Sequence, residues 1–75
     1  MTNEEVNQII GENVRRYRKN MKYTQKRLAE EARIDRTAIA KLERGKYLPT
    51  TTFLLSISRA LNVEFICLFI GVRTL

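Results

Sequence analysis

From Val6 to Leu61 the apolar residues recur at intervals of three and four, and that period decides what this chain can become. Val6, Ile10, Val14, Tyr17 and Met21 form a first stripe, Leu28, Ala29 and Ala32 a second, and Ile39 and Leu42 a third. Phe53 or Leu54, with Ile57, Ala60 and Leu61, form a fourth. No alternation of period two precedes residue 63, so the spacing predicts about four helices and a fifth short element. Punctuation agrees: Gly45 and Pro49 bracket one break, and Asn62 with Val63 marks another.

Thr24, Asp35 and Thr50 each precede a stripe, where a side-chain oxygen can accept from the exposed amides of a first helical turn. Around Asp35, Ile34 and Ile39 have the spacing of a hydrophobic staple, and Gly45 is placed to close that helix with left-handed backbone. The last element is open. "EFICLFIGV", residues 64 to 72, is rich in aromatic and β-branched residues, which suits a strand, while its place directly after "SRALNV" favours a helical turn or two.

A chain of 75 residues makes one domain, 1–75, near the lower size limit for a core without staples, so oligomerisation would help it. It contains no histidine and one cysteine, Cys67, so neither a disulfide nor a Cys/His zinc site can form within it. Cys67 is read as a buried apolar residue in a reducing cytosol. The commonest general base is absent, and the serines, Ser56 and Ser58, lie inside an apolar pattern; both facts point away from an enzyme. No cofactor, metal or small-molecule ligand is implied. The start, "MTNEEVNQII", is not a signal peptide, and "FICLFIGV" is too short to cross a bilayer, so a cytoplasmic protein without a membrane partner is expected.

The net charge of +6 is unevenly placed. Residues 15 to 46 carry twelve of the fourteen basic residues and a net +8, whereas the first fourteen residues carry −3 and the remainder +1. A basic middle between nearly neutral flanks suits a polyanion-binding surface, although an ordinary solvated surface would account for the charge equally well on its own.

The stretch "IDRTAIAKLERGK", residues 34 to 46, is more specific. On a wheel of roughly 100° per residue starting at Arg36, Ala40 falls near 40°, Arg44 near 80°, Thr37 near 100° and Lys41 near 140°. Ile39 and Leu42 fall near roughly 300° and 240°, on the opposite side. A helix over 36–44 therefore has one apolar face and one face bearing Arg36, Thr37, Lys41 and Arg44 around the small Ala40. Before it stand another short helix, "TQKRLAEEA", and a three-residue turn.

With these residues in view, "YTQKRLAEEARIDRTAIAKLERGKYLPTTTFLLSISRALNV", residues 23 to 63, resembles the helix-turn-helix domain of phage repressor and Cro-type (XRE-like) transcriptional regulators. The resemblance reaches back through "IGENVRRYRKNMK" and rests on Thr24-Gln25, Leu28-Ala29, Ile39, Leu42-Glu43-Arg44-Gly45, Pro49 and Ala60-Leu61. Compact size and the "DRT" opening of the third helix are also similar to restriction-modification controller proteins. The family implies an all-α fold, a compact five-helix bundle containing a helix-turn-helix, and a sequence-specific regulator of transcription that binds double-stranded DNA, a repressor or a regulator of its own promoter. In such proteins the second helix of the motif enters the major groove while the first crosses the backbone.

Carried onto this chain, the resemblance makes Arg36, Thr37, Ala40 and Lys41 the base contacts. Gln25, Arg44, Lys46, Tyr47, Thr51 and Thr52 become phosphate contacts. It also pairs Arg18 with Glu43 as a partly buried structural tie. Lys22 and Arg33 stand where the family commonly has glycine, and left-handed backbone there would cost about 1 kcal/mol each. Thr51 replaces a larger apolar residue, thinning the core beside it.

One such domain reads few base pairs, and two-fold dimers on a symmetric operator solve that. Phe65, Ile66, Leu68, Phe69 and Val72 supply a candidate homodimer interface within a dimerisation element, 63–75, unless all of them face inward. A competing reading makes the chain a protein-interaction module, such as an antitoxin or anti-regulator, that masks a partner with "FICLFIGVRTL". RNA binding is disfavoured, because beyond Tyr47 and Tyr23 no exposed aromatic is expected among the basic residues for stacking on bases.

Overall fold

Each of the four α-helices among the described residues begins at a capping side chain. The computed structural model describes residues 1–47 and 49–73, and in it α1 spans Asn3–Asn20, α2 Gln25–Ala32, α3 Arg36–Glu43 and α4 Thr51–Leu61. Thr24 Oγ1 accepts from the Arg27 amide at 3.0 Å, Asp35 Oδ1 from Thr37 at 3.4 Å and Thr50 Oγ1 from Phe53 at 3.1 Å. The fourth cap is one the apolar spacing does not reveal: Thr2 Oγ1 accepts from the Glu5 amide at 3.1 Å while the Glu5 carboxylate accepts from the Thr2 amide at 2.8 Å. That amide and hydroxyl hold the Glu5 carboxyl below its ordinary pKa.

Helix ends use left-handed residues. Arg33 (φ 57°) ends α2, Asn62 (φ 56°) ends α4, and Gly45 (φ 71°) stands two residues beyond the last residue of α3. Lys22 (φ 60°) turns the chain from α1 into α2. The positions where glycine is commoner are therefore left-handed here, with lysine and arginine in them. The third helix stops at Glu43, one residue short of the expected end.

Leu28, Ile39, Leu42, Ile57, Leu61, Leu68 and Val14 are fully buried and form the centre of the core, with Ile10, Ala29, Ala32 and Leu54 around them. α1 packs on α3, α4 and the C-terminal turn, and α2 packs on α3 and α4. The α1–α3 crossing is close at Gly11, where a Cβ would run into the Leu42 carbonyl and crowd the Glu43 backbone. Met21, placed in the first apolar stripe by spacing, is exposed instead, because it caps α1 where the chain turns away from the core.

The fifth element is a single 3₁₀ helical turn, Phe65–Phe69, in keeping with the helical-turn reading and not with a strand. Among the described residues the architecture is thus all-α, with four α-helices and one 3₁₀ turn in place of the expected five-helix bundle. Buried Asn13 of α1 fixes the turn: its Nδ2 donates to the carbonyls of Leu68 and Ile70, both at 2.9 Å, and its Oδ1 accepts from Arg16 at 2.9 Å. Leu68, expected at a dimer interface, is instead fully buried in the chain's own core. Phe65, Phe69 and Val72 are half-buried, as is Cys67, which is less enclosed than expected. Ile66 is 74% exposed and Ile70 57% exposed. The last two residues of the apolar tail, Thr74 and Leu75, lie outside the described residues. Among the described residues no helix is long and apolar enough to cross a membrane.

Candidate nucleic-acid interface

α3 is anchored from one side only. Ile39 and Leu42 point into the core with no exposed surface, while Arg36, Thr37 and Lys41 are exposed and Ala40 is half-buried between them. The Asp35 cap and left-handed Arg33 make the turn that sets α3 across α2, and half-buried Ile34 packs against the core beneath the turn. All four expected base contacts therefore share one solvent-facing strip.

The expected phosphate contacts are spread over three elements. Gln25 opens α2, and Thr51 and Thr52 open α4, where both are exposed. Arg44 and Lys46 follow α3 and are exposed; the Tyr47 ring lies 4.9 Å from that of Phe53, which leaves the tyrosine half-buried. Lys46 and Tyr47 border a groove shared with Asn3, Glu4, Asn7 and Gln8 of α1. Of the expected phosphate contacts, Gln25 and Arg44 line one groove beside Ala40, Lys46 and Tyr47 border another against α1, and Thr51 and Thr52 stand at the start of α4.

Behind the strip, Arg18 Nε and Nη2 donate to Glu43 Oε2 and Oε1 at 2.7 and 2.9 Å, a two-pronged pair whose side chains are 10% and 4% exposed. Arg18 Nη1 also donates to the Tyr23 carbonyl at 2.8 Å, tying α1 to the approach to α2. Gln25 Nε2 donates to Glu43 Oε1 at 3.2 Å, a contact the sequence reading lacks. Gln25 thus joins a network that holds α1, α2 and α3 together, and its amide has one remaining N–H for an outside acceptor.

Two other arrangements escape the sequence. Asn13 could have been flagged only as a polar residue beside Val14 in the buried stripe, and its partners are 55 and 57 residues away. Arg27 is occupied locally: it donates to Glu31 at 2.9 Å and its guanidinium lies 4.8 Å from the centre of the Tyr23 ring. The hydrogen bond to Glu31 raises the pKa of Arg27 above that of an ordinary arginine.

A capped α2, a three-residue turn and an α3 with one buried and one basic face define a helix-turn-helix domain. The chain belongs to the helix-turn-helix family, whose pattern matches residues 14–66. It is 40% identical over 59 residues to the HTH-type transcriptional regulator DicA of Escherichia coli, a match covering 79% of this chain and 44% of that protein. It is 33% identical over 66 residues to the immunity repressor protein of Bacillus phage phi105, covering 88% of this chain and 45% of the repressor. The chain spans less than half the length of these two relatives. An HTH-type transcriptional regulator of Methanothermobacter thermautotrophicus is 40% identical over 53 residues, 71% of this chain and 77% of its own. Among solved structures, the restriction-modification controller protein C.AhdI of Aeromonas hydrophila superposes with a TM-score of 0.82 at 27% identity, over 84% of this chain and 96% of that one. The clp gene regulator ClgR of Corynebacterium glutamicum superposes at 0.81 with 26% identity, over 87% of this chain and 84% of its own.

Proposed function

We propose that this chain is a cytoplasmic, sequence-specific regulator of transcription, a repressor or autoregulator, that lays α3 in the major groove of double-stranded DNA. The observation that carries the reading is the strip of α3: two long cations and a threonine stand exposed around a small alanine, on a helix whose other side is locked into the core. Arg36 and Lys41 donate to guanine O6 and N7, Thr37 uses its hydroxyl or methyl, and Ala40 lets the helix approach a thymine methyl. Gln25, Arg44, Lys46, Tyr47, Thr51 and Thr52 hold the two strands of the backbone and so set the register without reading sequence. The Arg18–Glu43 pair is structural: it keeps the helices at their working angle.

The operator is two-fold symmetric and bound by a homodimer. Ile66 within the C-terminal turn and Ile70 just beyond it, both mostly exposed, support a second copy as the partner of this segment, with Phe65, Phe69 and Val72 close in sequence. Relatives named as transcriptional regulators and a phage repressor support the same function.

The test is the double variant Arg36→Ala with Lys41→Ala. Both side chains are exposed and outside the core, so the variant keeps the wild-type melt while its preference for the selected operator over random duplex collapses. A variant that retains the preference would refute the assignment.

A further inference from the structure

A shallow groove runs between α1 and the exposed side of α3, lined by Arg15, Arg18, Gln25, Ala40, Glu43 and Arg44. Its floor is electrically settled: both Glu43 oxygens accept from Arg18, and one accepts from Gln25 as well. Arg15 and Arg44 stand at its sides, both exposed, and the ion pairs among the described residues are Arg18–Glu43 and Arg27–Glu31, which leaves these two arginines without a carboxylate. Two guanidiniums over a neutral floor, beside a glutamine with a spare N–H, make a seat for one small anion of tetrahedral oxygens.

We infer that Arg15 of α1 is a further phosphate contact, closing with Arg44 on a single backbone phosphate of the duplex that α3 reads. The inference rests on the DNA-binding reading given above. Ala40 joins the two sites, since it belongs to the base-facing strip and also lines this groove. A backbone passing the middle of α3 therefore comes within reach of α1, and α1 becomes part of the interface rather than only its support. Arg15 is not needed by the fold: its side chain meets solvent and forms no ion pair among the described residues.

The experiment measures binding of the full chain to random-sequence duplex from about 50 to 200 mM salt, where each phosphate contact contributes about one unit to the slope of log affinity against log salt. Arg15→Gln melts like the wild type and binds random and selected duplex several-fold more weakly by the same factor, with Arg44 still on the phosphate. Arg15→Lys keeps most of that affinity. Arg15→Gln combined with Arg44→Gln empties the phosphate and makes the slope shallower by about one. Unchanged affinity for Arg15→Gln overturns the seat and leaves the proposed function standing, as does a slope shallower by about two for the double variant, which would put the arginines on separate phosphates, or a change in the selected half-site, which would make Arg15 a base reader. A wild type that binds no duplex overturns both.

Discussion

Lys22 and Arg33 place long cationic side chains on left-handed backbone, which L-residues other than glycine, asparagine and aspartate adopt at a cost of about 1–2 kcal/mol. The arginine at 33 is exposed and lies in the turn of the motif, so nothing in the core depends on its side chain. Arg33→Gly should stabilise the domain by about 1 kcal/mol, a rise in melting temperature of about 4–8 °C for a chain of this size. A fall in the melt would mean that the arginine side chain stabilises the turn by more than its backbone strain. Glu43 is the opposite case. Removing it strands the Arg18 guanidinium, whose side chain is 10% exposed, and frees the Gln25 amide as well. Glu43→Ala should cost about 3 kcal/mol, read from denaturant unfolding; a protein that unfolds like the wild type would remove the pair from the account. The strain at 22 and 33 was legible because the family's glycine is missing there. The third member of the Glu43 network was not, since nothing in the spacing of Gln25 and Glu43 marks a contact between an α2 start and an α3 end.

At the scale of elements, α1 is the bar on which the rest is mounted. Asn13 holds the C-terminal turn, Arg18 holds α3 and the approach to α2, and Gly11 lets the α3 backbone come close. Gly11→Ala would push the Leu42 carbonyl, which is backbone and cannot rotate aside. The variant should lose about 1–3 kcal/mol in thermal or chemical unfolding despite its better helix propensity. An unchanged or higher stability would show that the crossing can open freely. The periodicity laid out all four helices because each buries one stripe, and three of the caps were visible as Thr24, Asp35 and Thr50. The fourth, Thr2 with Glu5, was spelled out as a capping box ahead of Val6 and lost behind the apolar pattern. The final element was legible as a helical turn by its place after α4 but not by its spacing, because five residues are too few to show a period, and the bonds that tie it to α1 come from the distant Asn13.

For the whole molecule, the segment from 15 to 46 that carries a net +8 folds so that its charges do different work. Arg18 pairs with Glu43 in the interior and Arg27 with Glu31 on the surface, while Arg36, Lys41 and Arg44 remain exposed on or beside α3 without such a partner among the described residues. Composition alone could not separate these groups; the wheel placed the α3 residues because a helix fixes which side chains share a face. The C-terminal surface was legible only in part, since Leu68 turns inward and Ile70, outside the expected set, turns out. The proposed reading of duplex DNA by the α3 strip, as one half of a symmetric pair, is best tried by selecting bound sites from a random duplex library. The expected outcome is an inverted repeat with half-sites about one helical turn apart, or a multiple of that spacing, whose conserved bases change when Lys41 is replaced. Recovery of no enriched sequence, or of one indifferent to Arg36 and Lys41, would contradict it.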